Sequence, residues 1–273
     1  MEILVDLDEN VNFITRATLI QDFRDVYSKC SLTFTFPSDL EFAPGYGFFL
    51  LGTKWEVLSY KKILVSGSDA VYSVFAYPAG ISSIVDTKQS TLSALARCLD
   101  IPFDSNVSTD FKFEFPLRNL PLGAMLYKYR YSSIEENVSN LGDAWFLYYD
   151  SRGLVGKTYA SIASSELVSY DVGLSRFMGG SESFIRDYQN VNYCRDQYPA
   201  RMGYKNLISS FVGDKFDFKG NLPGIIGSRY KLEGGGEEED FSSYDRLVLV
   251  RQKYDSIKIP MPWTLTFGQL LAR

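Results

Sequence analysis

The sequence SSIEENVSNLGDAWFLYYDSRGLVG, residues 132–156, places a helix, a strand, a tight turn and a second strand in immediate succession. Ser132 or Ser133 is expected to cap the helix, because a serine hydroxyl accepts hydrogen bonds from the backbone N–H groups of a first helical turn. Glu135 and Glu136 then lie in that turn, where the helix dipole favours negative charge. AWFLYY has the aromatic composition of a strand, and DSRG has the composition of the turn after it. These residues predict a helix, strand and hairpin unit between two β-rich halves.

Strand patterns fill the region before this unit. LTFTF at residues 32–36 alternates apolar side chains with threonine, which is the period of a half-buried strand. FFLLGTKWEVLSYKKILVSGS reads as successive strands broken near Gly52 and around residues 66–68, and DAVYSVFAY follows as a further strand. Strands at this spacing predict a small antiparallel β-barrel or sandwich, and we expect a first β-barrel domain over residues 1–80.

The pattern changes to helical spacing after residue 81. Apolar residues recur there at three- and four-residue steps, which predicts a helix capped by Ser90 or Thr91. These apolar residues are Leu92, Leu95, Ala96 and Leu99. FKFEF at residues 111–115 then alternates as a strand does. Together with the helix, strand and hairpin unit, these elements predict a small α+β insert over residues 81–157.

Strand patterns return in residues 158–273. Phe216 and Phe218 alternate about Asp217, RLVLVRQKY reads as a strand, and WTLTF alternates near the end of the sequence. NLPGIIGSRYKLEGGG and RLVLVRQKY predict two strands joined by an acidic, glycine-rich loop, whereas SIASSELVSY fits either a short helix or a strand. The expected fold is therefore mainly β, with two small antiparallel β-barrel domains and a helix-containing α+β insert between them.

The composition excludes two classes of protein. Of the 273 residues, 45% are hydrophobic and 15% aromatic, which excludes a disordered chain and favours a β-rich one. The net charge of -5 does not supply the basic surface that a duplex-binding protein needs. No window of about 18 apolar residues occurs and MEILVDLDEN is acidic, so we expect an unexported, soluble chain without a membrane span.

Histidine is absent from the sequence. Its absence removes the commonest general base, the Ser-His and Cys-His nucleophile pairs, and the commonest transition-metal ligand. Cys30, Cys98 and Cys194 form no CxxC pair, so they indicate neither a disulfide framework nor a zinc site and are expected to be buried thiols. We therefore assign no catalytic, cofactor-binding or metal-binding residue, no cofactor and no enzymatic activity.

Two acidic stretches of the sequence allow a metal-binding or catalytic interpretation as well as a structural one. EEED at residues 237–240 offers carboxylate oxygens to calcium or magnesium, but its ligands lack the spacing of a calcium loop, which favours a solvated hairpin tip. Glu135 and Glu136 have the chemistry of a glycosidase pair. Adjacent residues on a helix point about 100 degrees apart, so these two cannot flank a sugar by themselves.

The glycine clusters and the tryptophans also favour structural roles. GGG at Gly234 is not followed by Lys-Ser or Lys-Thr, and GYG at Gly45 precedes a strand, so both are turns rather than phosphate loops. Trp55, Trp145 and Trp263 lie within apolar strand patterns. A place in the core or in a subunit interface is favoured for them over stacking on sugars or bases.

Three stretches resemble the central hub proteins of contractile and long tails, namely the phage baseplate hub, the late control protein D family and the VgrG proteins of type VI secretion. STLSALARCLDIPFD resembles the helix that precedes a short strand in that family. YRYSSIEENVSNLGDAWFLYYDSRGLVGK resembles its S-x-x-E helix, strand, D-x-x-G turn and second strand. NLPGIIGSRYKLEGGG with RLVLVRQKYDS resembles the turn and paired strands of its second barrel, although Lys253 and Tyr254 occupy the vicinity where that family often has a histidine.

The resemblance implies a structural hub of a phage tail baseplate or related contractile injection machine. Such a hub is a homotrimer with pseudo-six-fold symmetry that adapts the hexameric tail tube to a trimeric spike, without catalysis. The implied partners are further copies of the chain, a tail tube or distal tail protein, a spike and other baseplate proteins. DNA or an effector passes through the lumen without specific nucleic-acid binding. No spike repeats follow before Arg273, so the spike is expected to be a separate protein. The expected location is the virion tail, after synthesis in the host cytoplasm.

Two alternatives belong to other functional classes. A receptor- or glycan-binding tail component would use exposed aromatic side chains to stack on sugars. A carboxylate-dependent cell-wall hydrolase would depend on a single Asp or Glu whose replacement abolishes peptidoglycan cleavage.

Overall fold

Most of the described chain is β-strand, as the sequence predicts. The computed structural model describes residues 3–6, 14–37, 46–86, 103–105, 118–137, 140–150, 153–171, 176–181, 212–233 and 247–270. The strands are β1 (Ile3–Asp6), β2 (Ile14–Asp22), β3 (Lys29–Pro37), β4 (Gly47–Leu50), β5 (Thr53–Ser66), β6 (Asp69–Pro78), β7 (Ile84–Asp86), β8 (Phe103–Ser105), β9 (Arg118–Pro121), β10 (Trp145–Asp150), β11 (Gly153–Thr158), β12 (Val168–Asp171), β13 (Arg176–Ser181), β14 (Val212–Gly220), β15 (Arg229–Glu233), β16 (Leu247–Asp255) and β17 (Trp263–Leu270). The helices are α1 (Leu122–Glu136) and α2 (Tyr159–Ser164), with a short 3₁₀ helix at Leu141–Asp143.

One large sheet connects the two β-rich halves. Its strands lie in the order β1-β4-β5-β6-β3-β2-β16-β17-β14-β13, and β15 and β12 branch from β16. The insert contributes a three-stranded sheet, β10-β11-β8, and a two-stranded sheet, β7-β9. The mainly β class with a helical insert is confirmed. The ladders of the described strands form an open, branched path, so the expected closure of each half into a barrel is not seen in them. The division at residues 80 and 157 remains a prediction.

The first half follows the alternation in its sequence. Leu32 and Phe34 of β3 are buried, whereas Thr33 and Thr35 between them are only partly buried. The predicted break near Gly52 is a two-residue turn in which Leu51 has φ of 53° and Gly52 has φ of 66°. Positive φ at both central residues gives a turn whose twist matches the flanking strands. This turn joins β4 to β5 as a tight antiparallel hairpin.

Strand β2 pairs with β16 and joins the first half of the chain to the last. The antiparallel register runs from Asp22 opposite Arg251 to Thr18 opposite Asp255. The Gln21 and Gln252 side chains hydrogen-bond to each other across this pair. The two halves are therefore joined by a continuous backbone ladder and by a side-chain hydrogen bond across it.

A buried carboxylate closes the end of this ladder. Arg16 donates to Asp255 through Nε at 3.3 Å and through Nη2 at 2.9 Å. Beside it, the Ser256 hydroxyl accepts a hydrogen bond from the Ala17 N–H at 2.8 Å. Burial alone would raise the pKa of Asp255, but the hydrogen bonds and positive charge of Arg16, the Ile257 N–H and the charge of Lys258 outweigh burial and lower that pKa. Asp255 is therefore held in its charged form.

The sheet divides along one edge of β16. The Leu247 end of β16 pairs with β15, whereas its residues from Arg251 onward pair with β2. Between them, the Phe23 N–H donates to the Val250 carbonyl at 2.7 Å and the Leu249 N–H donates to the Ser228 carbonyl at 3.2 Å. Two strands thus leave the same edge of β16 in different directions. We call this point the fork.

The insert fills the fork with an aromatic ring. Phe146 of β10 stacks on Phe23, with ring centroids 4.7 Å apart and planes inclined by 17°. On the other side, a Cβ atom added to Gly227 would lie 2.5 Å from Phe146 Cε1. Glycine at this position, with φ of 75°, is therefore required both by the backbone conformation and by the close approach of the ring.

Strand β10 is buried on both faces, which explains its uninterrupted apolar sequence. Phe146 and Tyr148 belong to the main core, whereas Trp145, Leu147 and Tyr149 belong to a second core beneath α1. The predicted AWFLYY strand is confirmed, since β10 pairs antiparallel with β11 from Trp145–Thr158 to Asp150–Gly153, whereas Ser151 and Arg152 of the predicted DSRG turn lie outside the described residues. SIASSELVSY, which fits either a short helix or a strand by sequence, forms both. Its first residues belong to helix α2 and its last residues to strand β12.

The predicted serine cap of the insert helix is wrong. Helix α1 begins after Pro121, so Ser132, Ser133, Glu135 and Glu136 lie toward its C-terminal end rather than in its first turn. Burial of one helix face onto the second core outweighs the strand preference of its aromatic residues. The buried residues of that face include Leu122, Met125, Leu126 and Tyr129. Ser133 instead accepts a hydrogen bond from the Trp145 N–H at 2.8 Å and so fastens α1 to β10.

Arg130 fastens the insert to the main sheet. Its guanidinium is fully buried and donates to the Phe23 carbonyl at 2.5 Å, the Asp25 carbonyl at 2.9 Å and the Tyr159 hydroxyl at 3.0 Å. It also lies 4.9 Å from the Phe146 ring centroid. A cation over an aromatic face is attracted by the ring quadrupole, most strongly when water is excluded. One side chain thus joins α1, the loop after β2 and α2.

Replacing Gly227 by alanine tests the packing of the fork. We expect Gly227→Ala to lower the free energy of unfolding by about 3 kcal/mol, because it adds contact with the Phe146 ring to the cost of a positive φ. Gly52→Ala has a similar φ and open space around the added Cβ atom, so a loss of only about 1 kcal/mol is expected. Urea denaturation measures both values. Equal losses would show that the ring does not restrict this position.

Replacing Asp255 by asparagine tests the closure of the β2–β16 ladder. We expect Asp255→Asn to lower the free energy of unfolding at pH 7 by about 2 kcal/mol, since charged hydrogen bonds to Arg16 are lost. Because the folded pKa of Asp255 is lowered, its contribution is present above about pH 4 and is lost as the pH falls through that lowered value.

The same variant makes a prediction about pH dependence. Denaturation at pH 7 and pH 3 should show a smaller acid-induced loss in Asp255→Asn than in the unmodified chain. The exposed Asp69→Asn is the control, with an expected change within about 0.5 kcal/mol at pH 7. An unchanged acid-induced loss in Asp255→Asn would contradict the assigned role of the Arg16–Asp255 pair.

Candidate assembly surfaces

The three tryptophans lie in the core, as the sequence predicts. Trp55, Trp145 and Trp263 are at most 7% exposed. The Trp55 indole N–H donates to the Leu50 carbonyl at 3.1 Å, and the Trp263 ring packs 5.1 Å from that of Tyr254. None of the three indoles therefore offers a flat exposed face to a sugar or a base.

The other candidate residues do not form a chemical centre in the described structure. Glu135 and Glu136 lie in the last turn of α1. Cys30 is buried, and burial raises the pKa of its thiol to about 12, so it is not a reactive thiolate near neutral pH. The predicted helix at residues 92–99, the FKFEF strand, Cys98, Cys194, Gly45, Gly234 and the acidic run at residues 237–240 lie outside the described residues.

The described residues contain no candidate metal site and no helix able to cross a membrane. No group of three or more His, Cys, Asp or Glu residues in the described ranges is placed to hold a metal ion. Neither described helix combines the length and apolar character needed to cross a membrane.

Exposed apolar side chains instead concentrate in three places. We name these the hairpin patch, on the outer part of the β5–β6 hairpin, the β12 patch, at the start of β12, and the rim patch, in the loops after β14 and β16. Their exposed residues are Leu58, Tyr60, Ile63, Val65 and Phe75 for the hairpin patch, Leu167 and Val168 for the β12 patch, and Leu222, Ile225, Ile257 and Ile259 for the rim patch. Apolar side chains exposed in groups of this kind are candidates for contact with another chain.

The rim patch is held rigidly by the strands beneath it. Gln252 of β16 accepts from the Gly224 N–H and donates to the Gly224 carbonyl, both at 2.9 Å. The Asp255 N–H donates to the Pro262 carbonyl at 2.9 Å and closes the turn that carries Ile259. Ile259 is 83% exposed although its turn is fixed at both ends. The loops therefore present apolar side chains with little conformational entropy left to lose on binding.

The hairpin patch lies on the part of the β5–β6 hairpin that strand β4 does not reach. Strand β4 pairs with β5 only from Thr53 to Glu56, and the Val57 N–H donates to the Tyr46 carbonyl. No described strand pairs with the outer edge of β5 beyond that point. Ile63 and Val65, which lie there, are 54% and 56% exposed.

The β12 patch lies on the other branch of the sheet. Strand β12 pairs in parallel with β15 along one edge, and none of the described strands pairs with the opposite edge. Tyr170 packs against the rings of Phe267 and Tyr230, at 5.4 Å and 6.3 Å between centroids, and burial raises its pKa to about 12. Leu167 and Val168, which come just before this anchor in the sequence, are exposed.

Acidic side chains surround the β12 patch. Glu166, Asp171 and Glu233 are exposed. Hydrogen bonds from Lys231 and Ser169 lower the pKa of Glu233, so this carboxylate is charged at neutral pH. The hairpin patch instead carries the exposed cations Lys61 and Lys62.

The sequence analysis did not identify these three patches. Apolar residues in a strand predict burial whether the strand is covered within the chain or by another chain. A usable signal lies in SIKIPMP, where Ile257 and Ile259 alternate with polar residues in a proline-containing turn rather than in a strand. Prolines in this turn end regular strand pairing, so the apolar residues beside them are not part of a sheet that would bury them.

Comparison with known proteins shows likeness in the fold. No protein-family model matches the sequence, and no curated protein matches it either. The E. coli c3393 protein, described as a component of the type VI secretion system with structural similarity to the T4 bacteriophage tail proteins gp27 and gp5, has a TM-score of 0.54 at 12% identity, covering 94% of this chain and 73% of that one.

Two tail proteins show the same likeness. The tail protein from Neisseria meningitidis MC58 has a TM-score of 0.54 at 11% identity and covers 94% of this chain and 92% of its own. The 43 kDa tail protein of prophage MuSo2 from Shewanella oneidensis has a TM-score of 0.50 at 11% identity and covers 93% of each chain. The resemblance predicted from the sequence is thus confirmed at the level of the fold, which this chain shares with phage tail proteins and a type VI secretion component.

Proposed function

We propose that this chain is a structural hub of a phage tail baseplate or related contractile injection machine. In this proposal it is a homotrimer with pseudo-six-fold symmetry that adapts a hexameric tail tube to a trimeric spike. The observation that supports it is the likeness to tail proteins over at least 93% of the chain, which includes both β-rich halves and the insert. No catalysis is part of the proposed role.

Symmetry explains why such a hub would carry two β-rich halves. A hexameric ring presents six equivalent edges, whereas a trimeric spike presents three, so an adaptor must match both. A trimer whose chains each contribute two β modules offers six positions to the tube and three to the spike. The β2–β16 ladder joins the two halves of this chain edge to edge, as such a ring of modules requires.

The proposed partners follow from this place in the machine. They are two further copies of the chain, a tail tube or distal tail protein, a separate spike and other baseplate proteins. The lumen would pass DNA or an effector without binding it specifically, and the protein would reside in the virion tail. We assign the rim patch to contact with a neighbouring tail protein, because its apolar side chains are exposed on rigid loops.

The two alternatives have less support from the structure. Burial of all three tryptophans removes the indole faces that a glycan-binding protein would use to stack on sugars. For a carboxylate-dependent hydrolase, the buried carboxylates of Asp255 and Asp22 are each paired with an arginine, Arg16 and Arg24. The hub therefore remains the proposal.

Molecular mass in solution tests the trimer. Light scattering or native mass spectrometry should give a mass of three 30.9 kDa chains, and electron microscopy of the same sample should show a ring with a three-fold axis and a six-lobed outline. The measurement is repeated with the spike protein of the same machine present, because contact with a three-fold spike would favour closure of the ring. A monomer or a two-fold dimer under both conditions would contradict the proposal.

Substitutions in the rim patch test its assigned contact. The double variant Ile257→Ser and Ile259→Ser should change the free energy of unfolding by no more than about 0.5 kcal/mol, since both side chains are exposed. It should nevertheless abolish co-sedimentation with purified tail tubes or spikes of the same machine. Leucine at both positions is the matched control and should retain binding. Full binding by the serine variant would exclude the rim patch as this contact.

A further inference from the structure

We infer that β13 of one chain pairs with β5 of a second copy, in the same way as β2 pairs with β16 within the chain. The inference rests on the proposed homotrimer and assigns the strands that would join its subunits. It is drawn from a repeat in the topology, because the first six and the last six described strands have the same arrangement. We call strands β1 to β6 the first module and strands β12 to β17 the second module.

The two modules share their chain order, their strand neighbours and their strand directions. The first module has the spatial order β1-β4-β5-β6-β3-β2, and the second has the order β12-β15-β16-β17-β14-β13. The first pair in each order is parallel, and every later pair is antiparallel. Each strand therefore has a counterpart in the other module. The counterpart of β16 is β5, and the counterpart of β2 is β13.

The strands β16 and β5 also agree residue by residue. Pairing with the next strand shifts by one residue at Val250 in β16 and at Leu58 in β5. Just before the shift, the Leu249 N–H donates to the carbonyl of the residue that precedes β15. The Val57 N–H donates in the same way to the carbonyl of the residue that precedes β4. Leu58 is therefore the counterpart of Val250, and Ile63 is the counterpart of Asp255.

The same positions are covered in one module and exposed in the other. Val250 and Asp255 are 7% and 1% exposed, and β2 lies along this part of β16. Leu58 and Ile63 are 43% and 54% exposed. The strand that covers β16 comes from the other module, so the corresponding cover for β5 is the counterpart of β2. That strand is β13, at which the order of described strands ends.

Repetition of this contact closes a ring. In such a ring every module joins its neighbours through the same kind of ladder, either within a chain or between two chains. Three chains then supply six modules, with the two kinds of ladder alternating around the ring. A closed ring of strands has no edge at which further chains could add. A second copy of this chain is therefore the partner that the repeat specifies.

The β2–β16 ladder predicts the register between chains. Ile20 lies opposite Lys253 in that ladder. Ser181 holds the place of Ile20 in its module, and Lys61 holds the place of Lys253, as their pairing with the neighbouring strands shows. We therefore expect Ser181 of one chain to lie opposite Lys61 of the next.

The ion pair that closes the β2–β16 ladder is not repeated at the corresponding positions. Arg176 holds the place of Arg16, but Ile63 holds the place of Asp255. The contact between chains therefore gains its affinity from backbone pairing and from the cover of apolar side chains.

Cysteine crosslinking tests the register. Lys61→Cys chains mixed with Ser181→Cys chains should form disulfide-linked dimers after an oxidant is added, since residues directly opposite on antiparallel strands have Cβ atoms about 5 Å apart. Lys62→Cys is the matched control. It should not crosslink to Ser181→Cys, because a shift of one residue turns the side chain to the other face of the sheet. Each variant alone controls for linkage through the three native cysteines.

The equivalent pair within one chain is the positive control. A chain that carries Ile20→Cys and Lys253→Cys should form an intrachain disulfide, because these positions are opposite each other in the β2–β16 ladder. Its formation shows that two cysteines at this register can be bridged.

An added charge tests the cover of β5. Leu58→Asp should leave the urea midpoint of the isolated chain unchanged, because the side chain is exposed there. It should raise the concentration at which half of the chains are assembled by at least roughly tenfold, since assembly would bury the new charge. Leu51→Asp is the matched control. Leu51 is also 43% exposed but lies in the β4–β5 turn, so this variant should assemble normally.

The outcomes separate this inference from the proposed function. Crosslinking through Lys61→Cys but not Lys62→Cys, together with weakened assembly of Leu58→Asp, would support the assigned strands. A normal trimer of Leu58→Asp, with no mixed crosslink while the intrachain pair is bridged, would overturn them and leave the hub proposal intact. A chain that stays monomeric at every concentration, with and without its spike, would overturn both.

Discussion

The stack of Phe146 on Phe23, with Arg130 over the Phe146 ring, is the contact on which the rest of the architecture depends. Two strands leave the same edge of β16 and diverge, since the backbone of Phe23 bonds to Val250 on one side of the fork and that of Ser228 bonds to Leu249 on the other. An aromatic ring from the insert lies between them and presses against Gly227 on the opposite side. The guanidinium then satisfies the carbonyls of Phe23 and Asp25, which the loop after β2 would otherwise bury without partners. The insert is thus a structural part of the sheet.

The same contact explains why a β-rich chain devotes part of its length to an insert. A branch in a sheet exposes apolar residues on both diverging arms, and a strand added to either arm would not cover the space between them. Strand β10 does so because it is apolar on both faces, with one face toward the main core and the other toward α1. Dispersion and hydrophobic contact at such a close-packed point are sensitive to single atoms, which is why one glycine is required there.

Local regularity explains which features the sequence analysis could predict. LTFTF and RLVLVRQKY became strands β3 and β16 because their alternation or apolar content is visible within a few residues. The start of α1 was mispredicted because Ser132 and Glu135 match a helix-start pattern, whereas the actual start at Pro121 is favoured by burial against β10, a contact between distant residues. Neither the fork nor the exposed patches have a local signature, since both depend on which strands pair and on which edges the chain leaves uncovered.

The ring at the fork has a geometric consequence for any assembly of this chain. In a closed ring of identical subunits, the angle between the two contact surfaces of one subunit sets the number of subunits that close the ring. In this chain the Phe146 ring lies between Phe23 on the β2 arm and Gly227 on the β15 arm, so its thickness sets how far the two arms spread. In the proposed ring, a larger or smaller side chain at position 146 would therefore change the angle between the contact surfaces of a subunit without replacing any residue at the contact itself.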